Sequence, residues 1–192
     1  MSEGGFHVHG PHDHELEHAA QGHEPKGMAG QLVVATAVIA TVGALFAYMG
    51  GATQANAGLF KNDAAIKKTE AANQWAFYQA KSNKQNLAEL ALDLVPEPRK
   101  RFYADEAKRY KGEKADIMVA AKKLEDESAD WDKKSAEQLH QHHRWAQATT
   151  ALQIAIAMAA IALLTKSHGL AKAVYLLSGI GVVLGGLAWM HV

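Results

Sequence analysis

The chain contains no cysteine, which excludes disulfides, thiolate metal sites and thiol nucleophiles and leaves cysteine usage silent on redox compartment. It also lacks a Gly-x-Ser-x-Gly elbow, a P-loop, a dinucleotide fingerprint and a zinc-protease helix. Paired carboxylates such as Glu125 and Asp126 sit in a run of alternating charge, the pattern of a solvated face, so the expectation is that this is not an enzyme. Lysine plus arginine equal aspartate plus glutamate at 20 each, and that balance gives no electrostatic case for nucleic acid. Proline is scarce: beyond the first 27 residues only Pro96 and Pro98 occur.

The most informative lack is of charge in three long stretches. Met28 to Ala52 and Trp145 to Leu164 hold no acidic or basic residue, and Leu170 to Met190 holds only Lys172. At about 1.5 Å per helical residue each is long enough for a hydrocarbon core of about 30 Å. The fold class expected is therefore an all-α membrane protein. Transmembrane helices are expected at 28–53, 145–165 and 170–190. A long antiparallel helical hairpin, a coiled-coil-like stalk, fills 54–144 with its turn at 95–98, and residues 1–27 form a histidine-rich polar tail.

Ala55-Asn56-Ala57 has the small-x-small form of a signal-peptide cleavage site. The apolar run before it exceeds a usual h-region, however, and Lys26 is the single basic residue ahead of it, so a retained anchor is expected. The spans also lack the charge that coupled carriers keep at mid-membrane depth; at that depth they offer only Gln153 and a few hydroxyls. A multimeric pore lined by small residues is a weaker alternative.

Between the spans a step of seven picks out Leu59, Ile66, Asn73, Ala80, Leu87 and Leu94, a stripe along one helix. Val95-Pro96-Glu97-Pro98 ends it, because proline lacks an amide hydrogen and disfavours helix at the residue before it. The same step then selects Tyr103, Tyr110, Ile117, Leu124, Trp131 and Gln138, with Ala107, Ala121, Ser128 and Ser135 each four residues after one of these. Two such stripes predict an antiparallel pair with the first stripe as its seam. That seam is polar at Asn73 and Gln138 and at the interval positions Asn62, Thr69 and Asn83.

Trp75, Phe77 and Tyr78, with Phe102 and Tyr103, fall on more than one face, so packing against further copies is expected to cover them. Gly43, Ala47 and Gly51 are four apart, and Gly181 and Gly185 have GxxxG spacing, both patterns that let helices approach closely in lipid. Trp75, Phe77, Tyr78, Gly43, Ala47, Gly51, Gly181 and Gly185 are the candidate oligomerisation set. Trp145 and Trp189 are expected as membrane-interface anchors.

The candidate metal ligands are His7, His9, His12, His14, His18 and His23, interleaved with Asp13, Glu15 and Glu17. Imidazole with carboxylate suits zinc, copper or nickel, although such tracts bind these metals without a dedicated site; no cofactor is required. His140, His142 and His143 beside Arg144 supply at most part of a ligand set. At the stalk tip Arg99, Lys100, Arg101, Lys108, Arg109 and Lys111 could meet phosphates or a protein partner's acidic surface, but Asp105 and Glu106 interrupt them, so solvated ends are the preferred reading.

Lys26, Lys166 and Lys172 favour a tail inside and a stalk outside under the positive-inside rule, whereas Lys61, Lys67, Lys68, Lys133, Lys134 and Arg144 argue the reverse. The first arrangement is preferred.

At Asn73-Gln74-Trp75-Ala76-Phe77-Tyr78-Gln79-Ala80-Lys81-Ser82, with Lys84-Gln85-Asn86-Leu87 following, the sequence resembles a bacterial family known as domain of unknown function forty-three thirty-seven. The likeness extends to Gly50-Gly51-Ala52-Thr53-Gln54-Ala55-Asn56 and the closing pair of spans. It implies a bacterial inner-membrane protein of this layout and brings no activity or cofactor with it. The functional expectation is a structural or scaffolding homo-oligomer in membrane lipid, with a metal-responsive protein using the tail as the alternative.

Overall fold

The computed structural model describes residues 27–191, so the six tail histidines lie outside the described residues. Among those residues the chain forms three helices and no strand: α1 (Met28–Leu94), α2 (Glu97–Thr165) and α3 (His168–Trp189). Each includes a segment long and apolar enough to cross a membrane by length and composition.

Helix α1 runs 67 residues because no proline interrupts it. It stops at Leu94, where the ring of Pro96 disfavours helix at Val95; Val95 still donates its amide to the Ala91 carbonyl at 3.0 Å, and Arg99 donates to Pro96 at 3.0 Å to start α2. Glu97 lies in the first turn of α2, where its charge suits the helix dipole. Only Lys166 and Ser167 separate α2 from α3, two residues fewer than the interval 166–169 between the expected spans. Lys166 takes a left-handed φ of 50°, and the Ser167 hydroxyl caps α3 by accepting from the Leu170 amide at 3.3 Å.

The chain divides into two compact units, one of Gly51–His142 and one drawn from Met1–Gly50 and His143–Val192.

In the first unit the cross-helix bonds run antiparallel. Ser135 Oγ donates to the Ala57 carbonyl and Ser128 Oγ to the Ala64 carbonyl, both at 2.8 Å. Further along, Lys114 Nζ donates to Ser82 Oγ at 3.3 Å. The second heptad stripe faces inward as expected, with Ile117 buried and Tyr103, Tyr110, Leu124, Trp131 and Gln138 half-buried. The first does not. Leu59, Ile66, Leu87 and Leu94 are 63%, 47%, 65% and 75% exposed, whereas Ala57, Ala64, Ala71 and Ala88 are buried. The seam of α1 is thus its alanine line, two residues out of phase with the leucine stripe. The reason is distance: a serine hydroxyl reaches the carbonyl of the opposite helix only where both surfaces carry small side chains. Ala64 faces Ser128, with Ala121 fully buried one heptad away.

The second unit packs around Leu32, Leu152 and Val174, all fully buried, with Ala155, Ala159 and Ala162 forming a small-residue edge on α2. Gly181 and Gly185 let α3 approach. A Cβ at Gly181 would come within 2.6 Å of Leu152, and one at Gly185 would lie inside the Phe46 ring. Phe46 also stacks at a tilt on Trp145, with centroids 5.2 Å apart. Trp145 is 3% exposed, so it is a core residue and not the lipid-facing anchor the sequence suggests. Trp189, at 69%, does face outward.

Candidate interaction site

The Asn73–Ser82 segment is where α1 meets α2 through polar and aromatic groups. Trp75 Nε1 donates to Glu125 Oε1 at 2.8 Å, and its indole meets Tyr78 edge-on at 5.6 Å. Lys114 reaches over the Tyr78 ring at 5.3 Å on its way to Ser82. Lys81 pairs with Glu113 at 2.5 Å and lies against the Phe77 and Tyr110 rings at 5.2 and 5.5 Å. Residues three and four apart share a helix face, so Trp75, Tyr78, Lys81 and Ser82 present one continuous edge to α2.

Ion pairing extends this edge in both directions. Arg109 contacts Glu106 at 2.5 Å and Glu113 at 3.7 Å and lies over Tyr110. The Lys81 hydrogen bond is the main cause holding the Glu113 carboxyl below its ordinary value, and Arg109 does the same to Glu106. Lys67 pairs with Glu70 at 3.0 Å and with Glu127 at 3.4 Å, which raises its ammonium above the ordinary lysine value. Lys61 meets Asp132 at 2.7 Å. Every one of these groups is held by an opposite charge at a solvated edge. The pairs that join α1 to α2, Lys61–Asp132, Lys67–Glu127 and Lys81–Glu113, support helix registration, because several directional contacts must all be satisfied at once.

Two clefts open along this pair. One of about 370 Å³ has Ala71 and Ser128 among its lining, flanked by Trp75, Glu125, Lys68 and Asp132. Another of about 260 Å³ is lined by Leu87, Phe102, Tyr103 and Tyr110, with Lys84 and Glu106 beside them.

Of the candidate oligomerisation residues, Trp75 and Tyr78 are thus engaged within the chain, while Phe77 remains 49% exposed. Gly181 and Gly185 are filled by Leu152 and Phe46, so their close approach serves the chain's own helices. Gly43 is buried beside Leu152, whereas Ala47 and Gly51 are exposed and nothing would meet a Cβ at Gly51. His140 and His143 are exposed and His142 is half-buried. Among the described residues no group of three or more histidine, aspartate or glutamate side chains is placed to hold a metal ion.

Sequence reading missed the alanine lines Ala57-Ala64-Ala71 and Ala155-Ala159-Ala162. Their periodicity was as regular as that of the leucines. Residue size, rather than hydrophobicity, is the signal that finds them.

The chain belongs to the family described as "Domain of unknown function (DUF4337)", whose model matches residues 28–191 and so includes the Asn73–Ser82 edge and leaves out the tail. No curated protein and no solved structure matches the chain.

Proposed function

We propose that this member of a family without an assigned activity is a structural scaffold: a homo-oligomer rooted in a membrane by three spans, with the α1–α2 pair of Gly51–His142 as its stalk. The observation that carries this reading is the uncovered stripe on α1. Leu59, Ile66, Asn73, Ala80, Leu87 and Leu94 are all exposed, and so are the interval positions Asn62, Thr69, Ala76, Asn83 and Leu90. This is a full heptad face without one charged residue. Elsewhere the chain shows what its solvated faces look like: residues 97–142 carry 22 charged side chains against 9 in residues 51–94. An apolar-and-amide face of such length marks a protein contact.

Gln153 adds support from the spans. It is exposed near the middle of the second span, and an amide facing lipid is costly unless a neighbouring helix accepts it. The layout fits an inner membrane, with the stalk on the side opposite the tail. The role proposed is structural rather than catalytic, a reading supported by the polar contacts that join α1 to α2: Lys61–Asp132, Lys67–Glu127, Lys81–Glu113 and Trp75–Glu125. Light scattering of the purified protein in mild detergent tests the reading: a particle of several chain masses is expected, and a monodisperse monomer overturns it.

A further inference from the structure

We infer that the copies meet α1 to α1, parallel and in register, with Asn73 of each chain beside Asn73 of its neighbour and α2 facing outward. The inference rests on the scaffold reading and adds the face, the direction and the register to it.

The exposed stripe limits its own occupant. With no charge along it, a partner helix bearing lysines or glutamates would have those charges desolvated without a counter-ion. Apolar residues fill its two ends, Leu59 and Ile66 at one and Leu87 and Leu94 at the other, while Asn73 holds the middle. A carboxamide carries both donors and acceptors, so it is complementary to a second carboxamide at the same height. Asparagine at a seam position is the device by which helices fix register and copy number, at some cost in stability. An identical helix in parallel register matches leucine to leucine and amide to amide along the whole stripe. A shift by one heptad sets Asn73 against an apolar residue in each chain. An antiparallel second copy would require α1 to leave the bilayer in the opposite sense. Copies sharing one membrane enter the stalk at the same residue, which favours contact between equal-numbered positions. The α2 face is the opposite case: Lys122, Lys123, Asp126, Asp130, Lys133 and Lys134 are all exposed, a surface suited to water.

The chain has no cysteine, so single-cysteine variants of the full-length protein report contacts without background. Ala80→Cys and Leu87→Cys on the stripe are compared with Lys122→Cys and Asp130→Cys on α2, by mild oxidation in native membranes followed by non-reducing electrophoresis. All four positions are exposed, so folding is not at issue. The stripe variants are expected to give about tenfold more disulfide-linked dimer than the α2 variants, as equal seam positions of a parallel pair lie side by side. A second measurement is the particle mass of Asn73→Leu, expected to shift to a different or mixed copy number. Dimers formed through Lys122→Cys or Asp130→Cys instead, or a multimeric particle without stripe cross-links, overturn this inference and leave the scaffold reading standing. A monomeric particle overturns both.

Discussion

Ser128 Oγ lies 2.8 Å from the carbonyl oxygen of Ala64 on the opposite helix, and both residues are buried. The carbonyl already accepts the helical amide four residues on, so the serine uses its second lone pair. Such a bond across two helices exists only where the backbones come close, and it fixes both their separation and their register. Ser128→Ala is expected to cost about 1 kcal/mol, the usual net value of one hydrogen bond. Ala64→Leu should cost more, about 1–3 kcal/mol, because the added atoms force the helices apart. Thermal unfolding followed by circular dichroism in detergent checks the order.

The glycines of α3 separate into two classes. Gly185 faces the Phe46 ring and Gly181 faces Leu152, while Gly179 and Gly186 have open space around them. Gly185→Leu should therefore lower the unfolding temperature by several degrees through overpacking, whereas Gly186→Ala should be neutral or slightly stabilising because alanine favours helix. Equal effects from the two would contradict the packing described for this unit.

Acid should loosen the stalk pair. Glu113 and Glu106 have folded pKa values below the ordinary carboxylate value, so their contribution is present above that value and lost as pH falls through the folded one. Lys67 has the opposite sign: its raised pKa gives a contribution that is present below the ordinary lysine value and lost as pH rises through the folded one. Solvent screening keeps each effect small. Amide protection factors, which correct for the slower intrinsic exchange in acid, should fall around residues 77–81 and 106–113 on acidification below the carboxylate range, and Lys81→Met should remove most of the Glu113 part of that response.

Within the span region, Gln153→Leu should weaken self-association. The amide is exposed on α2 in an otherwise apolar stretch, and interhelical bonds of this kind are worth about 0.6–2 kcal/mol in membranes. Subunit exchange between differently labelled samples in nanodiscs should be faster in the variant; an unchanged rate would mean that Gln153 has no partner in a neighbouring chain.

Some parts of this structure were legible from residue order and some were not. Stretches with at most one charged residue mark the three apolar segments, and Pro96 and Pro98 mark the break between α1 and α2, because both signals are local. The inner face of α2 was also readable, since its large residues and its small ones, Ala107, Ala121, Ser128 and Ser135, lie on neighbouring lines. The seam of α1 was misread. Hydrophobic periodicity ranks Leu59 and Ile66 above Ala57 and Ala64, yet which stripe a partner helix takes depends on how near it can come, and only the pair of helices determines that. Trp145 was misplaced for a related reason: its indole fills the space beside Phe46, a contact 99 positions apart in sequence that no local pattern encodes.

The stalk stripe carries the account, and charging it is the most direct challenge. Ile66→Lys with Leu87→Glu, both at exposed positions, should leave helix content unchanged. Native mass spectrometry of the full-length protein released from nanodiscs is expected to show several chains per particle for the unaltered sequence and predominantly single chains for the double variant. An unaltered chain that is monomeric, or a double variant with undiminished copy number, would contradict the account.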